Sequence, residues 1–308
     1  MTRRREQPMN LVSSVKDRIF AIARQNNLEF NYLLRQYFQE RFLYRVSVSG
    51  YNRNFILKGA LLFSAYEINP FRPTRDIDFL GTQIKNNLKE IEYAFRQISG
   101  IIYNDGAIYY ADKIESEIII EGADYKGIRV HIPCSLGTVR EKIHIDIGFG
   151  DIVFPEPSRI DFPVLLDFDP PSLMVYSIES SIAEKFQTIV KLGITSSRMK
   201  DYYDIFFLCT NRTFDFPYLK KAITETFNHR GTSTTGIDLI FSQGFKNRED
   251  FRKLWTAFIR KRSLEQDLEF SNVVNVIEKF LAPVIDHTEN YSNWNQTKLR
   301  WEKTIEKP

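Results

Sequence analysis

The chain has 308 residues, of which 43% are hydrophobic and 26% charged, with a formal net charge of +3. This is the composition of an ordinary globular protein of one large domain or two smaller ones. Two cysteines, Cys134 and Cys209, rule out a disulfide framework and point to a reducing cytoplasm. A charge of +3 is too small to establish a nucleic-acid partner by itself.

The N-terminus, MTRRREQPMN, is basic but leads into no apolar run of signal-peptide type. No stretch reaches the roughly 20 apolar residues of a membrane-spanning helix. Residues 10–46 read as two helices. Leu11, Val15, Ile19 and Ala23 recur at helical spacing up to a stop at Asn26-Asn27. The second helix, from about Phe30 to Tyr44, carries Tyr32, Leu33, Tyr37 and Phe38, with Arg41 among them.

The chain is organised around the stretch from Phe55 to Gly81. It enters as a strand, turns at Lys58-Gly59, runs through an apolar helical segment and breaks at Asn69-Pro70. It then re-enters as the strand Asp76-Ile77-Asp78-Phe79. Alternate strand residues share a face, roughly 7 Å apart. Asp76 and Asp78 therefore project together while Ile77 and Phe79 enter the core. Paired carboxylates repel unless a positive charge lies between them, and hard oxygen ligands suit Mg²⁺. Two surface aspartates on an amphipathic strand are the plainer alternative.

Residues 86–99 form a helix with Leu88, Ile91, Phe95 and Ile98 inward. Strands follow at 107–110, 114–120, 129–134 and 142–149, punctuated by Gly122, Gly127 and Gly137. In the last of them Ile143, Ile145 and Ile147 share one face, and His144 and Asp146 the other. Asp146 is thus a third carboxylate, on a strand able to lie beside the Asp76–Asp78 strand. His144 is a possible metal ligand or simply a polar-face histidine.

Residues 151–172 read as an irregular crossing that ends at Pro170-Pro171-Ser172, and the remainder is mainly helical. In the helix 177–192, Ile178, Ile182, Phe186 and Ile189 define the buried stripe, and Lys185 falls within it at about 100° per residue. A lysine there needs an anionic partner, unless it snorkels to water. The segment Arg198-Met-Lys-Asp-Tyr-Tyr-Asp204 opens another helix, where Lys200 and Asp204 have the spacing of a surface ion pair. Seven basic residues between 243 and 262, with Trp255 among them, read either as a nucleic-acid-facing patch or as a solvated helix face. A last helix near 272–284 precedes a polar tail holding Trp294 and Trp301.

The set Phe55-Ile-Leu-Lys-Gly59, Arg75-Asp-Ile-Asp-Phe79, Ile145-Asp146-Ile147, Ala183-Glu-Lys-Phe186 and Arg198–Asp204 resembles the AbiEii/AbiGii nucleotidyltransferase toxins, which include the MenT toxins. The resemblance implies an α/β (α+β) fold: a polymerase-β-like nucleotidyltransferase core with a mixed, largely antiparallel sheet, N-terminal helices and a helical C-terminal lobe. Expected domains are a helical lead-in over 1–50, the core over 51–172, the lobe over 173–290 and a tail over 291–308.

The implied activity moves a nucleoside monophosphate from an NTP to an RNA acceptor, tRNA foremost, with release of pyrophosphate. The setting is toxin–antitoxin or phage-abortive defence in the cytoplasm, opposite a cognate antitoxin. Asp76, Asp78 and Asp146 would hold Mg²⁺ or Mn²⁺ and, with Lys185, form the catalytic set. Lys58, Gly59, Lys185, Arg198, Lys200, Asp201 and Asp204 would bind nucleotide. Gly59 would let backbone amides approach phosphate closely. Ala60 supplies no hydroxyl where many nucleotidyltransferases have serine. Nucleotidyl transfer to a protein or small-molecule acceptor, or nucleotide binding without turnover, are the other readings.

Overall fold

The computed structural model describes residues 9–68, 74–121, 125–261, 264, 268–286 and 291–303. The break expected at Asn69-Pro70, the punctuating Gly122, Arg262 and most of the basic N-terminal run lie outside these residues. The chain divides into two units: residues 1–150 with 157–176, and residues 151–156 with 177–308.

The first unit opens with α1 (Met9–Gln25) and α2 (Phe30–Val48), joined through Asn27 in a left-handed conformation that asparagine tolerates. Then come β1 (Phe55–Lys58), α3 (Gly59–Ala65), β2 (Asp76–Gly81), α4 (Leu88–Ser99), β3 (Ala107–Tyr109) and β4 (Glu115–Glu121). The unit is completed by β5 (Tyr125–Leu136), β6 (Val139–Phe149), β7 (Ser158–Asp161) and β8 (Ser172–Val175). Asn87 starts α4 by accepting from the amides of Lys89 and Glu90 at 3.0 and 3.2 Å. Ile91, Ala94, Phe95 and Ile98 form its buried stripe.

The strands form one eight-stranded mixed sheet in the order β3-β5-β6-β2-β1-β8-β7, with β4 also on β5. The β2–β6 and β1–β8 pairs are parallel and the others antiparallel. One face is closed by aromatic packing. Phe42 of α2 stacks on Phe95 of α4 with centroids 6.0 Å apart, and Phe55 of β1 meets Phe95 at 4.9 Å and Phe79 of β2 at 5.7 Å.

Beneath this lies a polar layer that helical periodicity does not announce. Arg45 and Asp105 are both buried and bonded through two nitrogens at 2.7 and 3.0 Å. Buried Glu40 accepts from Arg41 and from the amide of Leu165. Burial pushes its carboxyl up to about 7.

The second unit holds α5 (Ile178–Leu192), α6 (Met199–Asn211), β9 (Phe214–Asp215), α7 (Phe216–His229), α8 (Ile237–Phe241) and α9 (Gln243–Lys246). α10 (Glu249–Lys261), α11 (Phe270–Ile285), β10 (Tyr291–Asn295) and β11 (Arg300–Lys303) complete it. β9, β10 and β11 form a three-stranded sheet.

Three local features differ from the sequence-based expectations. The crossing over 151–172 contains β7, which pairs with β8 from Ser158↔Val175 to Asp161↔Ser172. Its proline- and aspartate-rich composition hid that short edge strand. Gly127 sits inside β5 and does not break it, and the close approach of β6 favours glycine there: a β-carbon would lie 2.9 Å from the carbonyl oxygen of Ile147. Residues 291–303, read as tail, are a packed hairpin. Trp294 and Trp301 are buried and donate their indole N–H to the carbonyls of Cys209 and Phe280 at 2.6 and 2.8 Å. Two aromatic plugs in an otherwise polar stretch carried that signal.

Candidate active site

Strand register brings the acidic residues of the first unit together. Lys58 of β1 is opposite Asp78 of β2, Asp78 is opposite Asp146 of β6, Asp146 is opposite Arg129 of β5, and Arg129 is opposite Glu117 of β4. Residues directly opposite one another share a face of the sheet. Five charged side chains of alternating and paired sign therefore form one transverse row. Asp76 lies two residues along β2 on the same face, opposite His144, and His144 is opposite His131. Ile77 and Phe79 are fully buried on the other face. The D-x-D reading of β2, with carboxylates together and apolar side chains inward, holds in the structure.

The charges differ in their surroundings. Lys58 and Asp146 are buried, whereas Asp76 and Asp78 are half-buried. Lys58 Nζ stands 5.9 Å from the ring centre of Tyr176. Arg129 donates through Nε and Nη2 to the two oxygens of Asp146 at 2.7 and 2.6 Å, a bidentate pair. His144 Nδ1 is 3.9 Å from Asp76 Oδ1, and its ring meets His131 edge-on at 4.8 Å. Burial, with His131 beside it, holds the His144 imidazole below its ordinary range.

Gly59 begins α3 with φ +70°, and a β-carbon built on it would fall 1.9 Å from Asp78 Oδ2. Both backbone conformation and space therefore require glycine there. Asp76 and Asp78 offer hard oxygen donors on one partly open face, which fits a divalent cation. Among the described residues, no three His, Cys, Asp or Glu side chains are drawn together as a metal-holding group. Both oxygens of Asp146 face Arg129.

In the second unit, Ser177 caps α5 by accepting from the amide of Ser180 at 3.1 Å, which sets the helix phase. Lys185 finds its anionic partners on α6. Its Nζ is 2.9 Å from Asp204 Oδ2 and 3.6 Å from Asp201 Oδ1, and both carboxylates are fully buried. Arg198 Nε bonds Asp201 Oδ2 at 2.6 Å. Asp201 Oδ1 has no hydrogen-bond partner among the described residues.

Lys185 therefore neither snorkels nor stands alone: it joins Asp201, Asp204 and, through Asp201, Arg198. Asp204 turns inward to Lys185, while Lys200 is exposed. Glu184 approaches Arg230 at 3.4 Å, and Arg230 also bonds Asp151 and Gln187 at 2.6 and 2.9 Å.

The basic stretch 243–262 divides between core and surface. Lys246 is buried on Glu278 at 2.6 Å, Arg248 pairs with Asp250, and Trp255 is buried with its indole N–H on the Leu268 carbonyl. Trp255 is thus a packing residue, not an exposed base-stacking one.

Sequence reasoning did not single out Arg129, His131 or Tyr176. Arg129 and His131 alternate with buried Val130 and Ile132 along β5, so strand alternation alone could have placed both on the charged face.

A family profile described as nucleotidyl transferase AbiEii toxin, type IV toxin–antitoxin system, matches residues 41–276. That span includes β1, β2, β6, α5 and α6. The chain belongs to the AbiEii nucleotidyltransferase toxin family. As an AbiEii-family chain it carries the polymerase-β-like mixed α/β core, and its class of reaction is nucleotidyl transfer.

No curated protein matches this AbiEii-family chain significantly. Among the solved structures that resemble it are the following three. JHP933 from Helicobacter pylori is 13% identical, with 84% of this chain and 94% of that one covered and a TM-score of 0.49. An H. pylori protein described as a candidate nucleotidyltransferase is 16% identical, with 83% and 99% covered and a TM-score of 0.42. MenT4, a nucleotidyltransferase toxin from Mycobacterium tuberculosis H37Rv, is 16% identical, with 94% and 99% covered and a TM-score of 0.48. At these scores the three likenesses carry no argument of their own. No helix among the described residues is long and apolar enough to cross a membrane.

Proposed function

We propose that this chain transfers a nucleoside monophosphate from an NTP to an RNA acceptor, with tRNA the acceptor that the family resemblance implies. The observation that carries the reading is the in-register row Lys58–Asp78–Asp146–Arg129, with Asp78 seated against a glycine that neither its φ nor its space allows to change. The oxygen of an acceptor hydroxyl attacks the α-phosphorus. The bond from that phosphorus to the β-phosphate bridge breaks, pyrophosphate leaves, and the hydroxyl proton passes to solvent.

Asp76 and Asp78 would hold a divalent cation, Mg²⁺ or Mn²⁺, which when bound supplies charge stabilisation for the reacting phosphate. Asp146 fixes the charge next to Asp78. Lys58 and Gly59 are assigned to nucleotide, the lysine as a buried cation and the glycine by leaving backbone room. In the second unit, nucleotide contact is assigned to Lys185, Arg198 and Lys200. Asp201 and Asp204 hold the first two in place. The setting is a cytoplasmic toxin–antitoxin pair, with a cognate antitoxin as partner.

The test incubates the purified chain and its Asp78→Asn variant with total RNA, Mg²⁺ and each α-labelled NTP. Labelled tRNA-sized product from the wild type alone is expected. Label on a protein or small molecule with none on RNA would replace the acceptor assignment. No transfer from a folded chain that binds NTP would refute turnover.

A further inference from the structure

The second unit carries an aromatic pair that the acidic row of the first does not use. Phe154 is pinned by its main chain to the first turn of α5. Its amide donates to Ser180 Oγ at 2.7 Å, and its carbonyl accepts from the hydroxyls of Ser177 and Ser180, both at 2.9 Å. Tyr218 stands in the first turn of α7, where its amide donates to the capping Asp215 at 3.0 Å. The two rings meet with centroids 5.7 Å apart and planes inclined at 31°. The Lys221 ammonium lies 4.2 Å from the centre of the Phe154 ring. Tyr218 nevertheless remains 50% exposed. Backbone anchoring thus holds ready an aromatic step with one open ring and a cation beside it.

We infer that Tyr218 and Phe154 form a stacking platform for one unpaired nucleotide of the RNA acceptor, with Lys221 on its phosphate. The inference rests on the RNA acceptor proposed above. An unpaired base offers a bare π-face to Tyr218, whereas a base inside a duplex is already covered on both faces. Glu225, 3.8 Å from Lys221 Nζ, and the capping Asp215 moderate the positive charge, so stacking carries more of the binding than phosphate attraction does. A protein surface laid over the rings would bury the Lys221–Glu225 pair at a desolvation cost. A nucleotide instead brings its own anion to the lysine and leaves the pair in water.

The experiment measures fluorescence anisotropy of a short unstructured RNA, and of the same strand paired to its complement, against the full chain without NTP. The wild type should prefer the single strand. Tyr218→Ala should weaken single-strand binding about tenfold and leave duplex binding within about twofold, and Tyr218→Trp should keep the wild-type preference. Tyr218→Leu, which keeps apolar bulk without a π-face, should fall with Tyr218→Ala and serves if that variant does not fold. Lys221→Gln should lower the slope of log affinity against log salt by about 0.7. Unchanged single-strand affinity in Tyr218→Ala and Tyr218→Leu would overturn the inference, as would an equal loss on the duplex. No binding of either RNA by the wild type would overturn it too, and leave the ring pair to a protein partner. The labelled-NTP assay separates this from the reading beneath it. Labelled RNA with the same KM in wild type and Tyr218→Ala removes the platform alone, whereas label on a protein or small molecule with none on RNA brings down the acceptor assignment.

Discussion

The Asp78 carboxylate rests directly over the α-carbon of Gly59, so close that a β-carbon on residue 59 would lie 1.9 Å from Asp78 Oδ2. One acid of the D-x-D strand is thus held by the turn that starts the neighbouring helix. Gly59→Ala should displace that carboxylate and strain a φ of +70°, at a cost of about 1–3 kcal/mol. Transfer should fall by two orders of magnitude or more while the fold survives. Urea denaturation and the labelled-NTP assay on one preparation check both parts. Full activity in Gly59→Ala would remove Asp78 from the reaction.

Asp78→Asn keeps the shape of the side chain and removes its charge. Since Asp78 is half-buried on a sheet face with Lys58 and Asp146 in register, little change in melting temperature is expected, whereas nucleotidyl transfer should be lost. Activity within tenfold of wild type would sink the assignment.

Lys185→Met removes the cation that bridges buried Asp201 and Asp204 and leaves Arg198 on Asp201, an imbalance worth about 3 kcal/mol of stability. Adding Asp204→Asn should restore much of it. The folded double variant then isolates the lysine's part in nucleotide binding. NTP affinity lower than in Asp204→Asn alone supports a phosphate contact, and equal affinity makes Lys185 a structural residue only.

Glu40 gives the fold a pH dependence. Burial raises its folded value from 4.5 to about 7, so between those values the folded chain holds a proton that the unfolded chain has lost. Its contribution to stability is full below pH 4.5 and declines as pH rises through 7, on the order of 3 kcal/mol in all. Glu40→Gln should flatten that slope in urea titrations run across the window. An unchanged slope would assign the effect elsewhere.

Sequence alternation made much of this face legible. Period-two spacing placed Asp76 with Asp78 and put Asp146 on the face away from Ile145 and Ile147, and the strand order needed to unite them came from the family resemblance. Helical phase put Lys185 on the inward side of α5, but could not say that two buried aspartates of α6 would meet it. The partner of Asp146 was missed for a related reason. Arg129 is separated from it by a turn, and only register shows that the two are opposite. The buried layer of Glu40, Arg41, Arg45 and Asp105 was hidden because charged residues inside α2 imitate a solvent face.

The hairpin of β10 and β11 bears on synthesis. Among the described residues, β9, at Phe214–Asp215, finds its partner strand only in Asn293 and Trp294, and the indole of Trp301 closes over Phe280. A growing chain that has reached the end of α11 still lacks both tryptophan plugs, and β9 has nothing to pair with. The second unit therefore completes its aromatic core only when residues 291–303 are in place. Truncation before residue 301 should yield not a shortened enzyme but a chain with an open aromatic core, prone to capture by chaperones or proteases.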